Sequence, residues 1–378
     1  MRIGIDGNEA NSINKVGVHQ YAFEILRAIY NENNNAKSKN NYTIYLKRKA
    51  SSDLPKENKY WRYKILGGGR VWLITKLMPY LIFHRDCDVL FSPSHYLPPL
   101  TRTYKVCTIH DLGYLDSSGQ FKKYDFWQLK YWTAISLFVS SKLIAVSQST
   151  KNDIVRHYPS ATNKVTVVHH GYDKRRFNAN ISDYNVRRIK RKYRIDSEYI
   201  LFLSMIKPSK NIDGLIKAFE ELIRDRSCNL KLVIAGKRGW HYNKVLNLAN
   251  ELGIGDKVVF TGFVPEDDKA ILYYGAKLFA LPAHWEGFGM TALEAMACGT
   301  PVLVSKVGGL PEVVGKAGTY VDNKDVSDIC RGIKKILDLS ENKYKLLVKE
   351  GFVQASIFSW EKAAKETIKV FESVRETT

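Results

Sequence analysis

Short apolar runs alternate along the chain with stretches of helical periodicity. In the first half, Arg2–Asp6, Tyr42–Leu46, Val89–Ser92, Lys105–Thr108, Leu143–Val146 and Val165–His169 have the length and apolar content of strands, and Gln20–Tyr30 has its apolar residues at helical spacing. The second half repeats the rhythm. Tyr199–Ser204, Leu230–Ala235, Val258–Phe260, Lys277–Leu281 and Pro301–Val304 read as strands, with helical patterns at Ile212–Leu222, Trp240–Leu252, Asp267–Gly275 and Met290–Ala297. Strands separated by helices predict βαβ units and parallel sheets covered on both faces. At about 150 residues per domain, 378 residues suggest two such domains. The pattern therefore predicts an α/β protein of two doubly wound domains with a crevice between them, ligands sitting beyond the carboxyl ends of the strands.

Composition narrows the class. With 45% hydrophobic and 25% charged residues the chain can bury real cores, which excludes wholesale disorder. The densest apolar run, Val71–Phe83, is broken by Lys76 and falls short of the roughly 20 residues that span a bilayer. The opening residues MRIGIDGNEA place charges where a signal peptide needs its apolar stretch, so a cytoplasmic location is expected. Five cysteines (Cys87, Cys107, Cys228, Cys298, Cys330) are scattered and never spaced as CxxC, which argues against a disulfide framework or a zinc site.

Charge changes the picture more. The net charge is +20, and residues 1–175 carry 26 basic against 13 acidic side chains, whereas 176–378 carry 32 against 25. Such a field favours anionic partners: nucleic acid, acidic lipid or phosphorylated small molecules. Asn178–Arg194, near the join of the two halves, is polar and strongly basic. Two stretches, Tyr60–Lys76 and Phe121–Trp132, interleave aromatic with basic residues, a composition that suits either a membrane interface or ordinary helix packing beneath a solvated face.

The most specific chemistry lies in His284–Val302. An apolar strand ends near Pro282, Gly287 and Gly289 allow a tight loop, and good helix formers run to Cys298 before Gly299 and Pro301 stop the helix. Amides of Gly289, Met290 and Thr291 would be the unpaired donors of the helix start, suited to phosphate. Glu286 falls in the loop and Glu294 within the helix, so two carboxylates flank one turn. An isolated glycine-rich turn with two solvated glutamates is the bland alternative.

The whole block resembles the Glu-x7-Glu signature of the family 4 glycosyltransferases, retaining enzymes of the GT-B fold with two Rossmann-like domains facing a central cleft. Other segments match in order. Val16–Tyr21 is similar to the family's glycine loop, where the resemblance implies that Gly17 lets the backbone approach the donor diphosphate, although Val16 stands where a second glycine is usual. Thr108–Leu112 resembles the strand-end HD motif, which implies His110 at the reaction centre. Ser147–Thr150 and His170–Asp173 match landmarks read as architecture. Lys207–Asn211 resembles the diphosphate-holding segment: Lys210 matches its lysine, while Met205 and Ser209 stand where an arginine is often found, leaving Lys207 as the candidate substitute. Thr261–Pro265, with Val264, resembles the loop whose backbone meets the nucleotide base.

The resemblance implies a retaining hexosyltransferase, mannose favoured, using a GDP- or UDP-linked sugar, with no metal and no further cofactor. Glu286 would bind hydroxyls of the donor hexose, Glu294 those of the ribose, and His110 would orient sugar and acceptor, with Phe288 also placed at the donor. It implies domains at 1–173 and 174–355, with residues 356–378 returning to the first. A glycan or lipid-linked acceptor, an envelope-polysaccharide role and a station at the inner face of the cell membrane are the expected partners and place. The alternatives are a GT-B epimerase, which the Glu286–Glu294 block opposes, and a non-catalytic nucleotide-sugar-binding module. A Rossmann dehydrogenase lacks its G-x-G-x-x-G, and a basic nucleic-acid-binding protein lacks any recognisable motif, so no nucleic acid is expected as partner.

Overall fold

A computed structural model describes residues 1–116, 123–225, 229–237, 239 and 242–374, and divides the chain into two units, Met1–Gly171 with Ser359–Thr378, and Tyr172–Phe358. Phe121, Lys122, Cys228 and Trp240 lie outside the described residues.

Seven strands build the sheet of the first unit: β1 (Arg2–Asp6), β2 (Asn41–Leu46), β3 (Trp61–Ile65), β4 (Val89–Ser92), β5 (Tyr104–Ile109), β6 (Lys142–Ala145) and β7 (Val165–Val167). All pair in parallel in the order β3-β2-β1-β4-β5-β6-β7, with Ile3 of β1 opposite Tyr42 on one side and Val89 on the other. Six strands build the second sheet: β8 (Glu198–Leu203), β9 (Leu230–Ala235), β10 (Val258–Gly262), β11 (Leu278–Leu281), β12 (Val302–Ser305) and β13 (Gly318–Val321). Their order is β10-β9-β8-β11-β12-β13, again parallel, with Ile200 of β8 between Leu232 and Leu278. Burial on both faces explains the unbroken apolar runs: β4 and β11 are buried along their whole length.

In both sheets the strand order reverses direction beside the first strand, at β1/β4 and at β8/β11. Loops leaving neighbouring strands at such a reversal diverge and open a crevice. Those after β8 and β11 are the Lys207–Asn211 and Pro282–Gly289 segments; those after β1 and β4 carry Glu9, Gly17 and His95.

The final helix, Trp360–Ser373, belongs to the first unit and packs along the helix Val18–Asn35, with Phe371 meeting Phe91 of β4 at 5.1 Å between ring centroids. Of the two readings left open for the aromatic and basic stretches, packing is the one found in the first. In the stretch Tyr60–Lys76, Trp61 and Trp72 are each only 1% exposed, Trp61 forming β3 against Tyr30 and Tyr42 and Trp72 joining Leu77 and Leu81 in the core. These rings stabilise the interior and cannot form an interfacial belt. The other stretch differs: Trp127 and Tyr131 on the helix Lys123–Val139 are exposed and stacked on each other. No helix among the described residues is long and apolar enough to cross a membrane.

Candidate functional site

In the second unit the site is built by two loops stapled together. After β8 the chain makes a tight turn, Pro208–Lys210, and Asn211 adopts a left-handed conformation at φ 53°. That conformation aims the Asn211 amide group at the carbonyls of Pro282 (3.0 Å) and Asn323 (2.8 Å). The Ser209 carbonyl in turn accepts the amides of His284 (2.9 Å) and Trp285 (3.3 Å). The two loops at the β8/β11 reversal are therefore held in fixed register.

This register brings the Lys210 ammonium to 2.5 Å from the Glu286 carboxylate, with the two side chains only 7% and 18% exposed. Glu286 is fixed from its other side, because its carbonyl accepts the Gly309 amide at 2.9 Å. Lys207 opens the same turn and is half-buried. Ion pairs this sheltered are costly to break by removing one partner, on the order of 3–5 kcal/mol, since the survivor is left buried and uncompensated.

Gly289 begins the helix Met290–Ala297 at φ 101°, where a Cβ would lie 2.7 Å from Leu310, so only glycine fits. The first backbone hydrogen bonds into the helix come from Ala292 and Leu293, both to the Gly289 carbonyl. The amides of Gly289, Met290 and Thr291 make no hydrogen bond among the described residues, leaving donors and the positive end of the helix dipole at this corner.

Glu294, one turn deeper, has a different setting. It is buried, accepts a hydrogen bond from the Tyr273 hydroxyl at 3.0 Å, and burial pushes its carboxyl up to about 7, against the pull of Lys269 and Arg176. The two glutamates thus have separate partners: Glu286 the cation Lys210, Glu294 a neutral phenol. Val264, in the loop after β10, and Phe288 are buried at 2% and 3%, the Phe288 ring edge-on to Phe358. Their side chains are packing elements, and only their backbones remain to meet a ligand.

In the first unit, Gly17 caps the helix Val18–Asn35 at φ 54° with nothing within 4 Å of a hypothetical Cβ, so its requirement is conformational. His110 follows β5. Its Nε2–H donates to the Pro93 carbonyl at 2.9 Å, which in the neutral ring leaves Nδ1 as the acceptor. Burial lowers its pKa, keeping the ring neutral. Tyr21 packs edge-on to it at 4.7 Å and donates or accepts a 3.0 Å bond with Thr108. His170 sits within the same aromatic cage, stacked on Trp360 at 5.7 Å.

Three residues escaped the sequence reading. The Glu9 carboxylate and the His19 ring meet at 2.9 Å across the loop after β1, and burial drives the His95 imidazole after β4 down to about 4 while its Nε2 finds no partner among the described residues. Their signal was position alone: each follows a strand at the β1/β4 reversal. Among the described residues no group of three or more His, Cys, Asp or Glu could hold a metal ion.

Comparison with known proteins gives a consistent family. Residues 185–354 match the glycosyl transferases group 1, and residues 47–176 match glycosyltransferase family 4. The O-antigen chain mannosyltransferase B of Escherichia coli is 30% identical over 321 residues, 82% of this chain and 79% of that protein. The serotype-specific mannosyltransferase WbdA of Escherichia coli is also 30% identical, over 82% of this chain, but the chain spans only 39% of WbdA's length. Among solved structures, sucrose-phosphate synthase from Thermosynechococcus elongatus covers 100% of both chains with a TM-score of 0.77 at 19% identity. At that identity the likeness shows the fold, and the fold is GT-B.

Proposed function

We propose, from the fact that the chain belongs to the family 4 glycosyltransferases, that it moves a hexose from a nucleotide diphosphate sugar to an acceptor hydroxyl with retention at the anomeric carbon. Mannose is the favoured hexose and GDP the favoured carrier, with UDP-hexoses next. The choice of mannose rests on two Escherichia coli mannosyltransferases at 30% identity. One of them acts on O-antigen chains by its name, which supports a glycan or lipid-linked acceptor and work at the inner face of the cell membrane.

The observation that carries the reading is the buried Lys210–Glu286 pair beside the open amides of Gly289, Met290 and Thr291. Departure of an anionic diphosphate from an oxocarbenium-like sugar needs positive charge held close to it, and these groups supply it once donor binding has released Lys210 from Glu286. Lys207 adds a second cation on the same turn, and the Gly17 loop offers backbone donors. Lys210 is paired with Glu286, so donor binding is an exchange: hexose hydroxyls take up the Glu286 carboxylate, and the ammonium turns to the diphosphate. Glu294 accepts from ribose hydroxyls, with the backbone near Val264 and Phe288 lining the nucleotide. His110, neutral and held through Nε2, offers Nδ1 to a hydroxyl of the sugar or acceptor.

Neither glutamate is a ready nucleophile, since in this arrangement one is engaged by hexose hydroxyls and the other, raised to about 7 by burial, lies one turn deeper on the ribose. We therefore place departure and attack on one face of the sugar, without a glycosyl–enzyme intermediate. The cations and amides fill the place a metal would take, so the reading is metal-independent.

The test is transfer and hydrolysis by purified protein with GDP-mannose, GDP-glucose and UDP-hexoses, with the product anomer read by NMR. Retained configuration, insensitivity to EDTA and no adduct by mass spectrometry without acceptor are expected. Inversion, an EDTA-abolished rate or a trapped adduct would overturn the corresponding part, and a product epimerised without acceptor would replace the function.

A further inference from the structure

Positive charge in the second unit is gathered in one place. The 21 residues 174–194 carry nine basic side chains against one acidic, whereas residues 195–358, the rest of that unit, carry 21 against 20. Most of this charge lies on the helix Asp183–Lys192 or just beyond it. Tyr184, Arg187, Arg188 and Arg191 fall at i, i+3, i+4 and i+7, a single stripe roughly 10 Å long at 1.5 Å per residue. The opposite side holds Ile189, buried where the helix packs on its neighbour Glu266–Tyr274.

That neighbour's nearby acids are already used. Glu266 is shared by Arg176 and Lys269, and Asp268 is held by Lys192 at 2.5 Å and by the Tyr193 hydroxyl at 2.7 Å. Arg187, Arg188, Arg191 and Arg194 are exposed and make no ion pair among the described residues. Favourable interaction with the helix dipole accounts for cations in the last turn, Lys190 to Lys192, but not for Arg187 and Arg188. The side chains of Tyr184, Arg187, Arg188, Arg191 and Lys192 enclose a recess of about 320 Å³ open to solvent.

We propose that this stripe docks the protein on the anionic phospholipid surface of a bilayer, its arginines holding lipid phosphates. Arginine's planar fork suits phosphate oxygens, and a fluid leaflet brings a phosphate to each guanidinium. The apolar side of the helix is spent on its own unit, so the attachment is electrostatic and superficial, with the 69% exposed Tyr184 ring at headgroup level. A nucleic acid is the poorer occupant: the stripe is one short helix with a single ring for stacking. The proposal does not depend on the reaction proposed above.

The experiment is co-sedimentation of the full chain with phosphatidylcholine vesicles, with and without phosphatidylglycerol. The wild type partitions onto the phosphatidylglycerol vesicles and is released by high salt. R187Q/R188Q/R191Q loses partitioning by on the order of a hundredfold, each basic residue near such a surface contributing about fivefold. K343Q/K345Q/K349Q, which removes the same charge from another exposed helix, stays within about twofold of wild type. Thermal melts of both variants match wild type, since the altered side chains are solvated.

The proposal is overturned by an unchanged partition of the arginine variant or by equal losses in both variants, which would mean net charge alone. It is equally overturned by displacement with inorganic phosphate beyond sodium chloride of equal ionic strength, which marks a free-anion pocket. Duplex DNA binding that the arginine variant loses while keeping its vesicles would assign the stripe to nucleic acid.

Discussion

Glu286, at the corner with Lys210, and Glu294, on the floor with Tyr273, belong to one short segment of chain, yet their surroundings treat a carboxylate in opposite ways. At the corner, a loop stapled by Asn211 and Ser209 delivers an ammonium to the glutamate at 2.5 Å under cover. On the floor, the glutamate has a phenol at 3.0 Å, and burial raises its carboxyl to about 7. Spacing in the sequence made the two look like a matched pair. Their partners make one an exchangeable charge and the other a group that can donate or accept a hydrogen bond, according to its protonation.

The sharpest way to break the contrast is Lys210→Ala. It strands the Glu286 charge, so unfolding should be easier by about 3–5 kcal/mol and transfer slower by at least about a hundredfold. Wild-type melting and turnover would remove the corner from the reaction. The floor responds in the other direction to Glu294→Gln. Its folded carboxyl titrates near 7 against 4.5 when unfolded, so folding takes up a proton between those values and wild-type stability falls as pH rises through them. The amide removes that cost, giving roughly 3 kcal/mol at alkaline pH and nothing below the unfolded value, in paired melts across pH. A gain independent of pH would contradict the assignment.

Smaller effects sharpen the comparison. Glu286→Gln releases Lys210 from its partner, so calorimetry should find a nucleoside diphosphate bound roughly tenfold more tightly while transfer slows. An unchanged affinity would place Lys210 away from the diphosphate. Tyr273→Phe removes one buried hydrogen bond, about 1 kcal/mol, and should move the Glu294 carboxyl further up, read as a shift of the stability curve with pH. No shift would mean the phenol is not its effective partner.

Legibility followed the burial of whole strands. β4, β8, β9 and β11 announced themselves because both their faces are covered, and the helix Met290–Ala297 stood out through its formers and its glycine stops. β3 did not, because an edge strand keeps only Trp61 wholly inside while Arg62 and Lys64 reach solvent, a pattern that mimics an interfacial segment. β13 was missed for a related reason: only Val321 of its four residues is fully buried. At the site, Lys210, Glu286 and Glu294 were legible from their motif, but their partners were not. The pairing with Lys210 depends on the left-handed Asn211, and the pairing with Glu294 on Tyr273, contacts set by tertiary register and not by neighbours in the chain.

The discontinuity of the first unit has a consequence for biosynthesis. Trp360, Phe371 and Val374 complete its interior, covering Tyr21, His170 and Phe91, yet they are translated after every residue of the second unit. The first unit therefore cannot close its interior until the second has been synthesised, and until then it shows a bare helix flank and an open ring of aromatic side chains. During that interval chaperone capture competes with self-association.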